Sequence, residues 1–384
     1  MIETCASDFG PFDGRVWLNC AHQGAIPKVA ARAAEEAVQW KIAPFPLTTE
    51  RFTDVPLRLR AALGRLIGVP SDDVILANSA SYGLHLMANG LPWRDGDEVL
   101  LMKGDFPSCV LPWMGLESRG VRVRFIEPRD RVIQPDELEA AITPATRLLC
   151  ATWVHSLSGY AADLEGLGAV CRAHDVIFVA NCSQAIGARP LSVEDVPVDA
   201  LTCVGFKWLC GPYGTGFCWI RPDIRETLHY NKAYWLSMQT ADDLGKENAV
   251  PEIRSGLGAR KYDIFGTANF FNYKPWTASI EYILGQGVEN IRDYDQALVS
   301  RFIAGLNRNV FKVLSPEEES DRRSTLVFIS HRQRNRNQAV YEGLRDSGVY
   351  VAYRSGSLRI APHLFNTESD IDRATEALNA VTPA

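Results

Sequence analysis

One lysine stands where this chain could form a covalent bond to a carbonyl. Lys207 lies between Phe206 and Trp208 and runs into the tight segment GPYGTGF. Apolar neighbours disfavour the charged ammonium, lower its pKa and leave a nucleophilic amine suited to Schiff-base chemistry. A lysine at a strand end can also lie along apolar surface with its head in water, so its surroundings decide. Upstream, Asn181, Ser183 and Gln184 form a polar cluster at the end of the apolar run Val176–Ala180, and a second run, Ala200–Val204, leads into Phe206–Lys207. In a parallel sheet both polar ends open on the same edge, where open α/β sheets place ligands. Ser79, Ala80 and Ser81 follow the apolar run VILAN and open a helical pattern. A helix N-terminus with small hydroxyl residues can seat a phosphate, or simply be capped by a serine.

The elements that must carry these residues alternate in type. Strand-like runs at VILA, DEVLLM, VRVRFI, RLLCAT and VIFVA are separated by helical periods, which predicts βαβ units and a mainly parallel sheet. An arm containing WLNCAHQGAIP and two helical segments, Lys28 to about Lys41 and Arg51–Leu66, precede the first of these strands. After Pro222 the rhythm breaks into an irregular stretch, Asp223–Phe271, suited to loops at a cleft or subunit contact. Helices at Trp276–Gly285 and from Val288 to about Leu306 lead to STLVFIS, NQAVYEGLRDSG, SLRIAP and a final helix. The expected division is an arm over 1–25, a large α/β domain over 26–286 and a smaller α+β domain over 287–384.

Composition narrows the function. The 384 residues are 46% hydrophobic and 22% charged, ordinary for a globular protein with a large core. A net charge of -6 supplies no basic field for nucleic acid, and the densest basic run, RQRNR at Arg332–Arg336, reads as a solvated helix start. Nine cysteines lie mostly inside apolar runs without CxxC or other ligand spacing, which predicts reduced core thiols and neither a disulfide framework nor a metal site. The first residues have no signal-peptide pattern, and no apolar run is long enough to span a membrane. A cytoplasmic protein is expected, with neither nucleic-acid nor membrane partners.

FKWLCGPYGTGF together with NCSQAIG resembles the class V aminotransferase family of fold-type I pyridoxal-phosphate (PLP) enzymes, which includes cysteine desulfurases and isopenicillin-N-epimerase-like proteins. The resemblance covers nearly the whole chain. It implies that Lys207 is the lysine that binds pyridoxal 5'-phosphate covalently and that Gln184 bonds the cofactor's phenolic oxygen. It places Ser79, Ala80 and Ser81 at the first phosphate turn and Phe106, in GDFPSCVLPW, stacked on the pyridine ring. Gly266-Thr267-Ala268-Asn269 looks like the family's GTPN element, whose threonine reaches the neighbouring subunit's phosphate, and so implies a homodimer with composite sites. Arg359, in SLRIAPHLFNTESDID, matches the arginine that grips an α-amino acid's carboxylate, with Arg354 a second candidate. His155 and Ser156, in TWVHSLSG, fall beside the substrate; a loop histidine bonded to backbone is the alternative.

Three departures from the family pattern fall at the cofactor. Asn181 replaces the aspartate of DxxQ that salt-bridges the pyridine nitrogen, and Val204 and Phe206 replace the serine and histidine of SxHK. An amide can donate to an unprotonated nitrogen but cannot pair with a positive one, so the cofactor should be a weaker electron sink. That disfavours transamination and favours reactions that discharge a carbanion promptly. YRSGSLRIAP also lacks the cysteine that desulfurases carry before the carboxylate arginine. The expected function is therefore C–S β-elimination from cysteine-type conjugates. Epimerisation, transamination and decarboxylation remain alternatives, as does a catalytically inactive binding subunit.

Overall fold

A computed structural model describes all residues except 1–3, 232, 240–242, 244, 248–250, 267 and 381–384. The arm contributes β1 (Val16–Trp17). The central sheet is built from β2 (Val74–Ala77), β3 (Glu98–Met102), β4 (Arg122–Ile126), β5 (Thr146–Thr152), β6 (Ile177–Asn181), β7 (Ala200–Val204) and β8 (Gly216–Ile220). Its order is β2-β8-β7-β6-β5-β3-β4, and every neighbouring pair is parallel except those that β8 makes with β7 and β2. The exception has a plain cause. A parallel neighbour needs a crossover of a dozen or more residues, whereas β7 and β8 are joined by a short turn that carries Lys207.

Both faces of this sheet are covered, as its near-continuous apolar strands require. Alternation divides them: Leu149, Ala151, Phe178, Ala180 and Leu201 join one core cluster, and Leu148, Cys150, Val179 and Ala200 join the other. On the first side the helices Lys28–Ile42, Thr49–Ile67 and Phe270–Gln286 pack together. The last of these starts six residues before the expected Trp276 and runs through Pro275, which forgoes one helical N–H bond.

The C-terminal part adds β9 (Phe311–Val313), β10 (Val327–His331), β11 (Val349–Tyr350), β12 (Ala352–Arg354) and β13 (Ser357–Ile360). Four of them form an antiparallel sheet, β12-β13-β10-β9, while β11 pairs in parallel with β1 of the arm. Val327, Ile329, Leu358 and Ile360 point to a core shared with the helices Val288–Gly305, Asn337–Asp346 and Glu368–Ala380. By alternation, Phe328 and Arg359, which pair across β10 and β13, point the other way, and Phe328 joins the core of the large sheet. Arg359 is thereby turned toward the ends of the central strands.

Candidate active site

Six parallel strands end on one edge, and the turn after β7 brings Lys207 there. Its Nζ lies 5.9 Å from the ring of Phe106 and 6.0 Å from that of Phe206. Burial pushes the Lys207 ammonium down to about 8, and the nearby positive Arg359 acts in the same direction. The arm helps to shape this turn. Gly24 donates its N–H to the Phe206 carbonyl at 2.9 Å, and a Cβ at position 24 would stand 1.9 Å from the Lys207 carbonyl oxygen. Only glycine fits there.

Asn181 ends β6, buried, with both ends of its amide engaged. Its Oδ1 accepts from the Ser183 N–H at 3.1 Å and its Nδ2 donates to Cys109 Sγ at 3.0 Å. The backbone donor fixes which end is oxygen, so the amide keeps one further N–H to present. Ser183 Oγ is buried with no protein partner. Gln184 accepts from the Trp208 indole at 3.0 Å and donates to the Ala21 carbonyl at 3.0 Å, which leaves its second amide N–H available.

Behind Trp208 lies a buried pair that sequence reasoning missed. His363 Nδ1 donates to Asp295 Oδ2 at 2.8 Å and Nε2 donates to the Trp208 carbonyl at 3.1 Å. The Trp208 carbonyl only accepts, so Nε2 carries a proton, and the Asp295 carboxylate beside Nδ1 favours the charged ring. Burial alone would lower its pKa, but the Asp295 carboxylate outweighs that and holds it well above the ordinary histidine value. The signal was present in the run PHLFN just after Arg359.

The turn after β2 is an open helix N-terminus. Ser79 is the extended residue before the helix Ala80–Gly90, and its hydroxyl bonds Asn78 Oδ1 at 3.1 Å rather than capping the helix. The first-turn N–H groups at Ala80 and Ser81 therefore have no helical acceptor and point outward with the positive end of the helix dipole. Thr202 Oγ1 on β7 ties down the Ala80 carbonyl at 2.6 Å. On β8, a Cβ at Gly216 would come within 2.8 Å of Ser79 backbone atoms, so this glycine lets the turn sit against the strand.

Phe106 caps the helix Pro107–Met114 and is 43% exposed, open to a ligand over Lys207. Buried Asp105, also missed from sequence, accepts from the Phe106 N–H and from Thr152 Oγ1, each at 2.6 Å, and so orients that ring. Phe206 stacks on Tyr213 at 4.7 Å and brings no hydrogen-bond donor in its side chain.

Arg359 is buried. Its Nη1 donates to the Ser156 carbonyl at 3.3 Å and its Nη2 to Asn19 Oδ1 at 3.4 Å, while Nε has no partner. Burial lowers its pKa to about 10, with nearby Arg354 adding to the effect. A buried guanidinium with no carboxylate partner is a seat for an incoming one. Ser156 meets it through its backbone. Arg354 is exposed on β12 and donates to its neighbour's carbonyl, that of Tyr353, at 2.9 Å. His155 uses Nδ1 with Ser158 Oγ at 2.8 Å and Nε2 with the Gly104 carbonyl at 3.1 Å, which anchors the loop and leaves no ring nitrogen free. Thr267 lies outside the described residues.

A family model described as aminotransferase class-V matches residues 45–373. The chain belongs to this family. A probable cysteine desulfurase of Methanothermobacter thermautotrophicus (strain Delta H) is 24% identical over 343 residues, 84% of this chain and 82% of that protein. The isopenicillin N epimerase of Streptomyces clavuligerus is 24% identical over 95% of this chain and 94% of its own. Among solved structures, C-DES with glycine covalently linked to PLP superposes with a TM-score of 0.87 at 21% identity, covering 98% of this chain and 99% of that one. Its complex, as a cystine C–S lyase, with its product cysteine persulfide gives 0.84 at 21% identity, with 95% and 97% covered.

This member of the class V aminotransferase family is a PLP-dependent enzyme, and its side chains fit the cofactor. The open N–H groups at Ala80 and Ser81 suit a phosphate, the spare Gln184 N–H suits a phenolic oxygen, and the buried Ser183 hydroxyl, two residues after Asn181, has no protein partner. Lys207 would supply the amine for attachment.

Proposed function

We propose that this enzyme is a C–S lyase that performs β-elimination on cysteine-type conjugates, working as a cytoplasmic homodimer with composite sites. The observation that carries the reading is the hairpin beside Arg359. Ser355 and Gly356, with φ of 49° and 74°, are the only residues between β12 and β13, a tight two-residue turn. Neither the turn nor its flanking strands contain cysteine, and all nine thiols of the chain are buried. The absence of a cysteine on this hairpin supports departure of sulfur within an intact thiol rather than its passage to a protein sulfur. The similar protein C-DES is a cystine C–S lyase.

When bound, the cofactor supplies the electron-withdrawing ring that acidifies the substrate's Cα–H. Arg359 holds the α-carboxylate and so aims that C–H bond. Lys207 Nζ, with a pKa of about 8, offers a share of neutral amine near neutral pH and takes the proton. The Cα–H electron pair becomes the Cα–Cβ double bond as the Cβ–S bond breaks, and the thiolate leaves with its own pair. Water then converts the released enamine to pyruvate and ammonia. Asn181 supports prompt discharge, because its amide cannot ion-pair with a ring nitrogen as a carboxylate would.

A second subunit would cover apolar surface that a monomer leaves in water. Phe45 is 90% exposed, and Leu47, Phe52, Leu57 and Trp235 line one groove at the helix Thr49–Ile67. Among the described residues no helix is long and apolar enough to cross a membrane.

The test is to incubate the holoenzyme with S-ethylcysteine and related conjugates. Pyruvate, ammonia and thiol should appear in equal amounts. Recovery of the intact amino acid with inverted Cα, or of a keto acid that keeps its sulfur substituent, would sink the elimination reading. A protein that binds no PLP would point to the inactive binding subunit.

A further inference from the structure

Further along the face of the C-terminal sheet that carries Arg359 lies a cavity of about 420 Å³. Ser357 lies two residues from Arg359 on β13, and Ser330 lies two residues from Phe328, its partner position on β10, so both share the face of Arg359 about 7 Å further along. Flanking strands complete the row: Lys312 pairs with Ser330, and Arg354 pairs with Ser357. Arg131, Arg332 and Arg334 close the cavity from neighbouring segments, and Leu157 and Ser158, which follow the Ser156 that Arg359 bonds, line it as well.

Five cationic side chains therefore surround one cavity in a chain whose net charge is -6. Among the described residues lining it there is no carboxylate, and none of the five makes an ion pair. Where they bond the protein they bond neutral acceptors: Arg332 the Arg308 carbonyl, Arg334 the Ser355 carbonyl, Arg354 the Tyr353 carbonyl. Cations held close together without counter-charge repel one another, and a ligand of opposite charge relieves that repulsion. The run Arg332–Arg336, read from sequence as solvated, supplies two of them.

We propose that this cavity seats a dianionic group on the substrate's sulfur substituent. Resting on the elimination reading above, it names the substrate class as cysteine thioethers whose leaving thiol bears two acidic groups. Arg359 takes the α-carboxylate, and the outer row takes the distal carboxylates or phosphonate. The reaction balances as before: the Cβ–S bond breaks, and the thiol leaves still carrying both charges.

The experiment compares S-(1,2-dicarboxyethyl)cysteine, S-(2-phosphonoethyl)cysteine and neutral S-ethylcysteine on the holoenzyme, and on Lys312→Gln/Arg332→Gln. Both substituted residues are exposed and outside the catalytic machinery. Charge-assisted contacts predict a kcat/KM roughly tenfold to a hundredfold higher for a dianionic conjugate than for the neutral one. That preference should shrink in the variant and in high salt, with the neutral rate unchanged. The two dianionic arms show whether carboxylates or phosphonate are favoured. Equal kcat/KM for neutral and dianionic conjugates, or a preference unchanged in the variant, overturns the proposal. Calorimetric titration with succinate separates it from the elimination reading. If no conjugate yields pyruvate, succinate binding that is lost in the variant upholds the anion seat, and absence of succinate binding overturns it.

Discussion

Lys207 is the residue whose chemistry most depends on where it sits. Its folded pKa of about 8 lies below the 10.5 of a free lysine. Between these values the unfolded chain holds a proton that the folded chain has released, so stability must rise with pH across that window. Below about 8 both states are protonated and the cost of burying the charge is complete. Denaturant unfolding of the apoprotein and of Lys207→Met from pH 7 to 10.5 checks this. The variant should be the more stable at pH 7, and its advantage should fall toward zero by pH 10.5; a constant difference would show that Lys207 is not desolvated. The same residue scale explains Gln184, whose orientation comes from Trp208, which the buried His363 imidazolium holds in turn.

At the scale of elements, the proposed phosphate seat depends on two backbones meeting closely. The helix Ala80–Gly90 starts against β8 only because position 216 has no side chain. Gly216→Ala puts a methyl group into Ser79 backbone and shifts the first-turn N–H groups. Titration with PLP should show an affinity loss of roughly tenfold or more, with a modest drop in stability of about 1–3 kcal/mol from overpacking. Ala77→Gly, next to the same turn but adding no atoms, should leave PLP affinity nearly unchanged. If Gly216→Ala binds PLP as tightly as the parent, the seat lies elsewhere.

At the scale of the whole molecule, the proposed homodimer has a specific consequence at Thr267. If that residue serves the neighbouring subunit's site, then Lys207→Ala and Thr267→Val damage different halves of a composite site. Mixing the two inactive variants under conditions of subunit exchange should restore pyruvate formation, because one site of the mixed dimer has both residues intact. Failure to restore activity, with exchange confirmed by sedimentation of tagged subunits, would place Thr267 in its own subunit's site or outside any.

Local chemistry made much of this protein legible from its sequence. The strand-to-polar transitions at Asn181 and Lys207, and the hydroxyl-rich helix start at Ser79, follow from periodicity and residue type within a few positions. The missing cysteine in YRSGSLRIAP was legible only through the resemblance to the family's desulfurases. Three things were decided only by the fold. The short strands β9, β11 and β12 have too few residues for a period to show and exist because neighbours pair with them. The charge on His363 comes from Asp295, distant in sequence, meeting it in a dry core. The basic cavity gathers Arg131, Lys312, Arg332, Arg334 and Arg354 from separate segments across strand registers. Sequence determines which groups are available and what each can do next to its chain neighbours; how far a charge is desolvated, and what faces it, depends on segments far apart in the chain, and tertiary structure alone brings those together.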